Sequence, residues 1–278
     1  ARTSERRHIS ASGLSRAIRR LEEELGVRLF ALDNRRVELT PGGRRFLTTA
    51  TGALRELAEA RAAVQESGEG QVRGVLELYA SVTACYAVLP PLLAVFRGEH
   101  PEAQIRLRTG DAARAIPEVR NEATQISVAA LPPRLESNLV SQPVTTTPLR
   151  LVRPIEGPVA ELMERRPIPW PEVPLILPER GLARERVDAW FRRKAIRPNV
   201  YAEVSGNEAI LAMVGLQLGV GVVPQLVFEK SPVKTEVLLL DGGPSLDPYQ
   251  VGMVARKRAL QLPVVHAFWR AAERVASL

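Results

Sequence analysis

The sequence contains one cysteine and three histidines, and it has no long apolar run. Each shortage excludes something. The single thiol, Cys85, rules out an internal disulfide and a two-cysteine redox sensor, and it fits a reducing compartment such as the cytoplasm. His8, His100 and His266 are too scattered to suggest a metal site. No stretch approaches the roughly 20 consecutive apolar residues that span a bilayer, and no signal peptide is visible, so neither a membrane nor export is expected. A Gly-x-Ser-x-Gly elbow, a P-loop and a His-Glu metal motif are all missing, so no catalytic residue, metal or cofactor is assigned. Gly219-Val220-Gly221 lacks the third glycine of a dinucleotide loop. Its glycines flank an apolar strand, where close backbone packing is the better explanation.

What the chain does have is basic charge at one end. Residues 1–47 hold eleven arginines and six acidic residues, which is +5 of the net +7 carried by all 278 residues. Charge concentrated in a short segment points to a polyanionic partner for that segment alone. The remainder, with 45% hydrophobic residues in the whole chain, is long enough to fill a second, larger core.

Within the basic segment, Leu14, Ile18, Leu21 and Leu25 recur at helical spacing. Ser12, Ser15, Arg16 and Arg19 fall off that stripe. Ser10 is placed to cap the helix, and Gly26 to end it. An isolated helix of this kind could simply be solvated. The adjoining segment argues otherwise: Val27–Leu32 and Val37–Leu39 flank Asp33-Asn34-Arg35-Arg36, the pattern of a hairpin with Arg35 and Arg36 at its tip. A helix offering hydroxyls and guanidiniums, with a basic hairpin after it, is the layout of a winged helix-turn-helix. Ser10, Ser12, Ser15, Arg16 and Arg19 would face the major groove, and Arg35 and Arg36 the phosphates beside it.

Leu14–Phe30 and Arg35–Gly43 closely resemble the DNA-binding module of LysR-type transcriptional regulators. The chain starts inside that module, so a winged helix-turn-helix truncated at its start is expected over residues 1–48. Thr40-Pro41 then opens a helix reaching about residue 67, with Leu47, Ala50, Leu54, Leu57 and Val64 in a heptad-like seam. Such a helix packs either on its own subunit or on a second copy. The resemblance favours the second: a linker helix over 41–67 that builds a homodimer or tetramer reading a pseudo-palindromic operator in double-stranded DNA. Residues 67–71 read as a hinge.

From residue 73 short apolar strands alternate with helices, implying a parallel sheet with right-handed crossovers. Strands are expected at 75–80, 104–109, 125–130, 175–178, 199–204 and 219–224. Helices are expected around Leu92, Val119 and Val187, from Ile210 to Gly219, and from Leu262 onward. Residues 140–152 and 251–255 read as strands crossing between two halves. This two-lobed α/β pattern resembles the periplasmic-binding-protein-like effector domain of the LysR family, with lobe I at about 73–145 and 248–278 and lobe II at about 146–247.

A ligand in such a fold lies between the lobes at the carboxyl ends of strands. Ser81-Val82-Thr83 offers two hydroxyls at a helix start, suited either to a carboxylate or to plain capping. Thr109-Gly110 and, from the other lobe, Asn207 admit the same two readings. A longer match over Ser81–Tyr86, Thr109–Ala113, Trp190–Arg193 and His266–Trp269 resembles the branch of the family that activates the acetohydroxy-acid isomeroreductase gene of isoleucine–valine biosynthesis. That resemblance implies a small 2-hydroxy-3-keto acid effector such as acetolactate or acetohydroxybutyrate. A solute-binding protein without regulatory function would explain the two lobes but not the arginine-rich module. An enzyme is disfavoured by the missing motifs.

Overall fold

The computed structural model describes residues 11–33, 36–65, 72–240 and 244–276. The chain divides into two compact units, Ala1–Ala62 and Ala63–Leu278. Ser10, Arg35 and the 67–71 hinge lie outside the described residues.

In the first unit, helix α1 (Ala11–Leu25) half-buries Leu14, Ile18 and Leu21 and exposes Ser12, Ser15, Arg16 and Arg19. It stops at Gly26, whose φ of +66° lies in the left-handed region open to glycine. Strands β1 (Phe30–Asp33) and β2 (Arg36–Leu39) pair antiparallel, with Asp33 opposite Arg36, so the expected hairpin forms. Glu22 fastens it to α1: its Oε1 accepts from Leu29 N at 2.7 Å and Phe30 N at 3.0 Å. These two backbone donors hold the Glu22 carboxyl below its ordinary pKa. Thr40 caps α2 (Pro41–Gln65) as expected, accepting from Gly43 N at 2.9 Å. On α2, Leu47, Leu54 and Leu57 are each more than half exposed. These three seam leucines are thus exposed, while Ala50 is half-buried.

The second unit is built on one nine-stranded sheet. It comprises β3 (Gly74–Ser81), β4 (Ala103–Gly110), β5 (Ile126–Ala130), β6 (Leu139–Pro154), β7 (Pro174–Pro178), β8 (Asn199–Val204), β9 (Val220–Pro224), β10 (Val237–Leu239) and β11 (Leu246–Arg256). The order is β4-β3-β5-β11-β6-β9-β7-β8, with β10 paired to β6. The parallel expectation holds inside each lobe: β3 pairs parallel with β4 and β5, and β7 with β8 and β9. It fails at the centre, where β6 and β11 run antiparallel to their neighbours. The reason is geometric. These two strands carry the chain from lobe I to lobe II and back, so they lie side by side in opposite directions.

Helices α3 (Val82–Ala87), α4 (Leu89–Glu99), α5 (Ala115–Arg120) and α10 (Pro263–Ala276) belong to lobe I. Helices α6 (Pro158–Glu164), α7 (Leu182–Arg193), α8 (Asn207–Gly215) and α9 (Gln225–Lys230) belong to lobe II. Helix α8 ends at Gly215, short of the expected Gly219, because Gln217 turns left-handed at φ +62°. The final helix begins after Leu262, at Pro263. Gly219 and Gly221 do serve close packing. A Cβ on Gly219 would lie 2.6 Å from the Pro174 carbonyl oxygen, and one on Gly221 3.1 Å from Val214 Cγ2. Gln125, standing before the apolar run of β5, is buried and accepts from Glu77 N at 2.9 Å.

Candidate functional site

Two surfaces carry the expected residues, one in each unit. In the first unit, Ser12, Ser15, Arg16 and Arg19 are exposed on α1 while Leu14, Ile18 and Leu21 turn inward; Leu25, at the end of the expected stripe, is exposed. The two Glu22 hydrogen bonds tie the helix to the start of the hairpin, so the arginine-bearing face is joined to β1 and β2. Arg36 opens β2, opposite Asp33.

In the second unit a cleft of about 280 Å³ opens between the lobes. Lobe I contributes Asp111, Ala112 and Ala130, and lobe II contributes Arg180, Gly181, Gly206 and Asn207. Beside it a smaller chamber of about 20 Å³ is lined by Ser81, Thr83, Thr147 and Val251. Ala112, Ala130, Asn207 and Tyr249 line both spaces, so the two adjoin.

The expected residues divide at this site. Ser81, Thr83 and Asn207 come together. Thr109 and Gly110 do not: Thr109 is exposed, and neither lines the cleft or the chamber. Gly110 is instead needed for packing, since a Cβ there would lie 2.6 Å from the Tyr79 hydroxyl. That hydroxyl donates to the Asp111 carbonyl at 2.8 Å, which turns the chain so that Asp111 faces the cleft. Asp111 also caps the 3₁₀ turn Ala112–Arg114 by accepting from Ala113 N. Val82 sits half-buried at the first turn of α3 and lines neither space.

The two hydroxyls expected to hold a carboxylate already have partners. Ser81 Oγ accepts from Ala84 N at 3.2 Å, the plain capping role. Thr83 Oγ1 donates to Glu208 Oε1 at 2.7 Å, joining lobe I to lobe II. Negative potential from Glu208, after burial, keeps the neighbouring Cys85 thiol protonated by raising its pKa. At the cleft, the helix starts without a side-chain cap come from lobe II. Helix α7 starts from Gly181 and α8 from Gly206, both with positive φ and neither with a side-chain cap. Both starts line the wide cleft, beside Arg180. Arg180 Nε stands 3.9 Å from Asp111 Oδ2 across the cleft. The lobes approach closely here, for a Cβ on Gly181 would lie 3.3 Å from Ala113 Cβ.

Sequence reasoning missed Arg180, Glu208 and Tyr249. Glu208 comes directly after Asn207 at a helix start, a visible cue. Tyr249 comes directly after Asp247-Pro248 inside a strand, where proline marks a bulge. Among the described residues no cluster of His, Cys, Asp and Glu is arranged to hold a metal ion, and no helix is long and apolar enough to cross a membrane.

Comparison with known proteins agrees with this layout. Residues 69–277 match the LysR substrate binding domain, and residues 1–44 match the bacterial regulatory helix-turn-helix protein, lysR family. The chain is 36% identical to the HTH-type transcriptional activator IlvY of Haemophilus influenzae, covering 96% of this chain and 92% of that protein. It is 37% identical to the HTH-type transcriptional regulator IlvY of Escherichia coli, covering 97% and 92%. Among solved structures, full-length CbnR complexed with its target DNA aligns at a TM-score of 0.67 and 23% identity, over 98% of this chain and 92% of that one. The effector binding domain of QuiR in complex with shikimate aligns at 0.61 and 18% identity, over 74% and 98%. The relatives are regulators and not enzymes, and the chain belongs to the LysR family of DNA-binding transcriptional regulators, with a helix-turn-helix module followed by a two-lobed α/β effector-binding domain.

Proposed function

We propose that this regulator is a cytoplasmic activator in branched-chain amino-acid biosynthesis, and that it responds to a small 2-hydroxy-3-keto acid, acetolactate or acetohydroxybutyrate. The observation that carries the reading is the interlobe cleft. It is small, it receives two uncapped helix starts and the Arg180 guanidinium, Asp111 lines it, and Thr83, bonded to Glu208, lines the smaller chamber beside it. Unsatisfied helix N–H groups together with an arginine favour a carboxylate. The carboxylate is therefore assigned to the wide cleft near Arg180 and Asn207, while Ser81 and Thr83 line the smaller chamber. The IlvY names of the relatives support the pathway.

On the DNA side, Ser12, Ser15, Arg16 and Arg19 read the major groove, and Arg35 and Arg36 engage phosphates. The uncovered leucines of α2 pair two chains on a pseudo-palindromic operator, as a dimer or a dimer of dimers. An effector that binds one interlobe arrangement better than another shifts the balance between them, and so the DNA geometry that the oligomer imposes.

Titration calorimetry on the full chain tests the effector. Heat and a raised melting temperature are expected with acetolactate and acetohydroxybutyrate, and none with an unrelated acid such as benzoate. Silence with both acids and a clear response to benzoate overturns the assignment.

A further inference from the structure

The strongest unassigned feature is a phenol without a partner. Tyr249 is 6% exposed, and its hydroxyl makes no hydrogen bond to any described residue. It lines both the cleft and the smaller chamber, on the strand that returns the chain from lobe II to lobe I. The ring is buried while the hydroxyl oxygen keeps contact with the cavity, where a ligand atom can replace the water that otherwise satisfies it.

The strand is built to put it there. The pairing of β11 with β6 slips between Leu246 and Tyr249, leaving Asp247 and Pro248 out of register. Pro248 has no N–H to lose, so the bulge costs the ladder little, and bulges re-aim the next side chain along the strand. Arg186 of α7 fixes the result from lobe II. It donates to the Asp247 carbonyl, and its guanidinium stands 5.3 Å from the centroid of the Tyr249 ring. Tyr249 pairs in register with Thr147, whose hydroxyl is already taken by Leu226 N at 3.2 Å. The phenol is therefore the open donor at the junction of the two spaces.

We propose that Tyr249 is a specificity-determining residue that donates a hydrogen bond to the uncharged 3-keto oxygen of the effector. The assignment rests on the reading of the cleft as the site of a 2-hydroxy-3-keto acid. With the carboxylate near Arg180 in the mouth, the oxygen one carbon beyond the substituted centre falls toward the junction. The smaller chamber, walled by Val227 and Val251, takes alkyl carbon. Burial raises the phenol pKa well above its ordinary value, so the group stays a neutral donor, which suits a ketone. Because Tyr249 sits on a crossing strand, its bond also ties occupancy to the segment about which the lobes would turn.

The test compares acetolactate with 2-hydroxy-2-methylbutanoate, which replaces the ketone by a methylene, on the wild-type chain and on Tyr249→Phe. Phenylalanine keeps the ring and the Arg186 contact, so the melting temperature without ligand should stay at or above wild type. Wild type is expected to favour acetolactate by about tenfold or more. Tyr249→Phe should bind both acids within about twofold of each other, with most of the loss on acetolactate. A Tyr249→Phe chain that keeps the wild-type preference overturns the inference and leaves the effector class standing. If wild type binds neither acid but binds pyruvate or 2-ketoisovalerate, the hydroxy-acid reading fails. Tyr249 then stands only if Tyr249→Phe weakens that keto acid about tenfold. If no acid binds, both fall.

Discussion

Gly42 and Gly43 stand side by side at the start of α2, and alanine should affect them in opposite directions. Alanine in a helix gains roughly 0.5–1 kcal/mol over glycine from the entropy the unfolded chain loses. At Gly42 a Cβ would meet only the Thr40 hydroxyl at 3.6 Å and the Arg28 carbonyl at 3.8 Å, ordinary contacts, so that gain survives. At Gly43 the same atom would overlap the Leu29 carbonyl oxygen and come within 2.9 Å of its carbon. Leu29 cannot step aside. Its N–H is held by Glu22, its carbonyl receives Thr40 N at 2.9 Å, and its side chain is buried. Overpacking against fixed backbone costs about 1–3 kcal/mol, which exceeds the propensity gain. Hydrogen exchange of the full chain across Leu29–Arg45 should show Gly43→Ala less protected by about that amount. Gly42→Ala should be unchanged or better protected. Operator affinity should fall with Gly43→Ala alone. Equal protection in the two variants, or the reverse order, would refute the packing argument.

The same contacts lead to other expected outcomes. Glu22→Gln should loosen the hairpin, read as faster exchange at Leu29 and Phe30. In the wild type the same loosening should appear on acidification. The folded carboxyl has a pKa below the ordinary 4.5, so its contribution is intact above that value and is lost as the pH falls through the lower, folded one. Arg16→Ala should cost about 1–3 kcal/mol of operator affinity and relax the sequence preference at one position. Arg36→Ala should weaken binding to all DNA sequences and reduce the salt slope by about 0.9. Thr83→Val keeps the shape but removes the donor to Glu208, a carboxylate hydrogen bond worth about 1.5–3 kcal/mol. Exchange across Val82–Ala87 should accelerate, and less so in Glu208→Gln, whose amide oxygen still accepts.

Much of the fold was legible because its elements are strongly periodic or cleanly bounded. The stripe of α1 with Gly26 after it, the Thr40-Pro41 start and the short apolar strands all carry their own local causes. Helices α6 and α9, of seven and six residues, escaped because less than two turns gives no periodic window. The three-residue β10 is defined only by its partner β6. The site was half legible for a different reason. Ser81, Thr83 and Asn207 sit at helix starts just past strands, and topology places such positions in the cleft. What each hydroxyl does there depends on residues far away in sequence. Thr83 meets Glu208 125 positions on, and Tyr249 enters the cleft because of a bulge that only Pro248 marks in the sequence. Thr109 looked equivalent to Ser81 but lies on an edge strand, and the Tyr79–Asp111 bond turns the chain only after it.

In the proposed mechanism a small hydroxy-keto acid, held between the lobes, controls a DNA-reading module. Crystals of the full chain soaked with acetolactate test it most directly. Density for the acid is expected between Arg180 and Asn207 at the mouth and Tyr249 at the junction. Density elsewhere, or an empty cleft under conditions where calorimetry records binding, would contradict it.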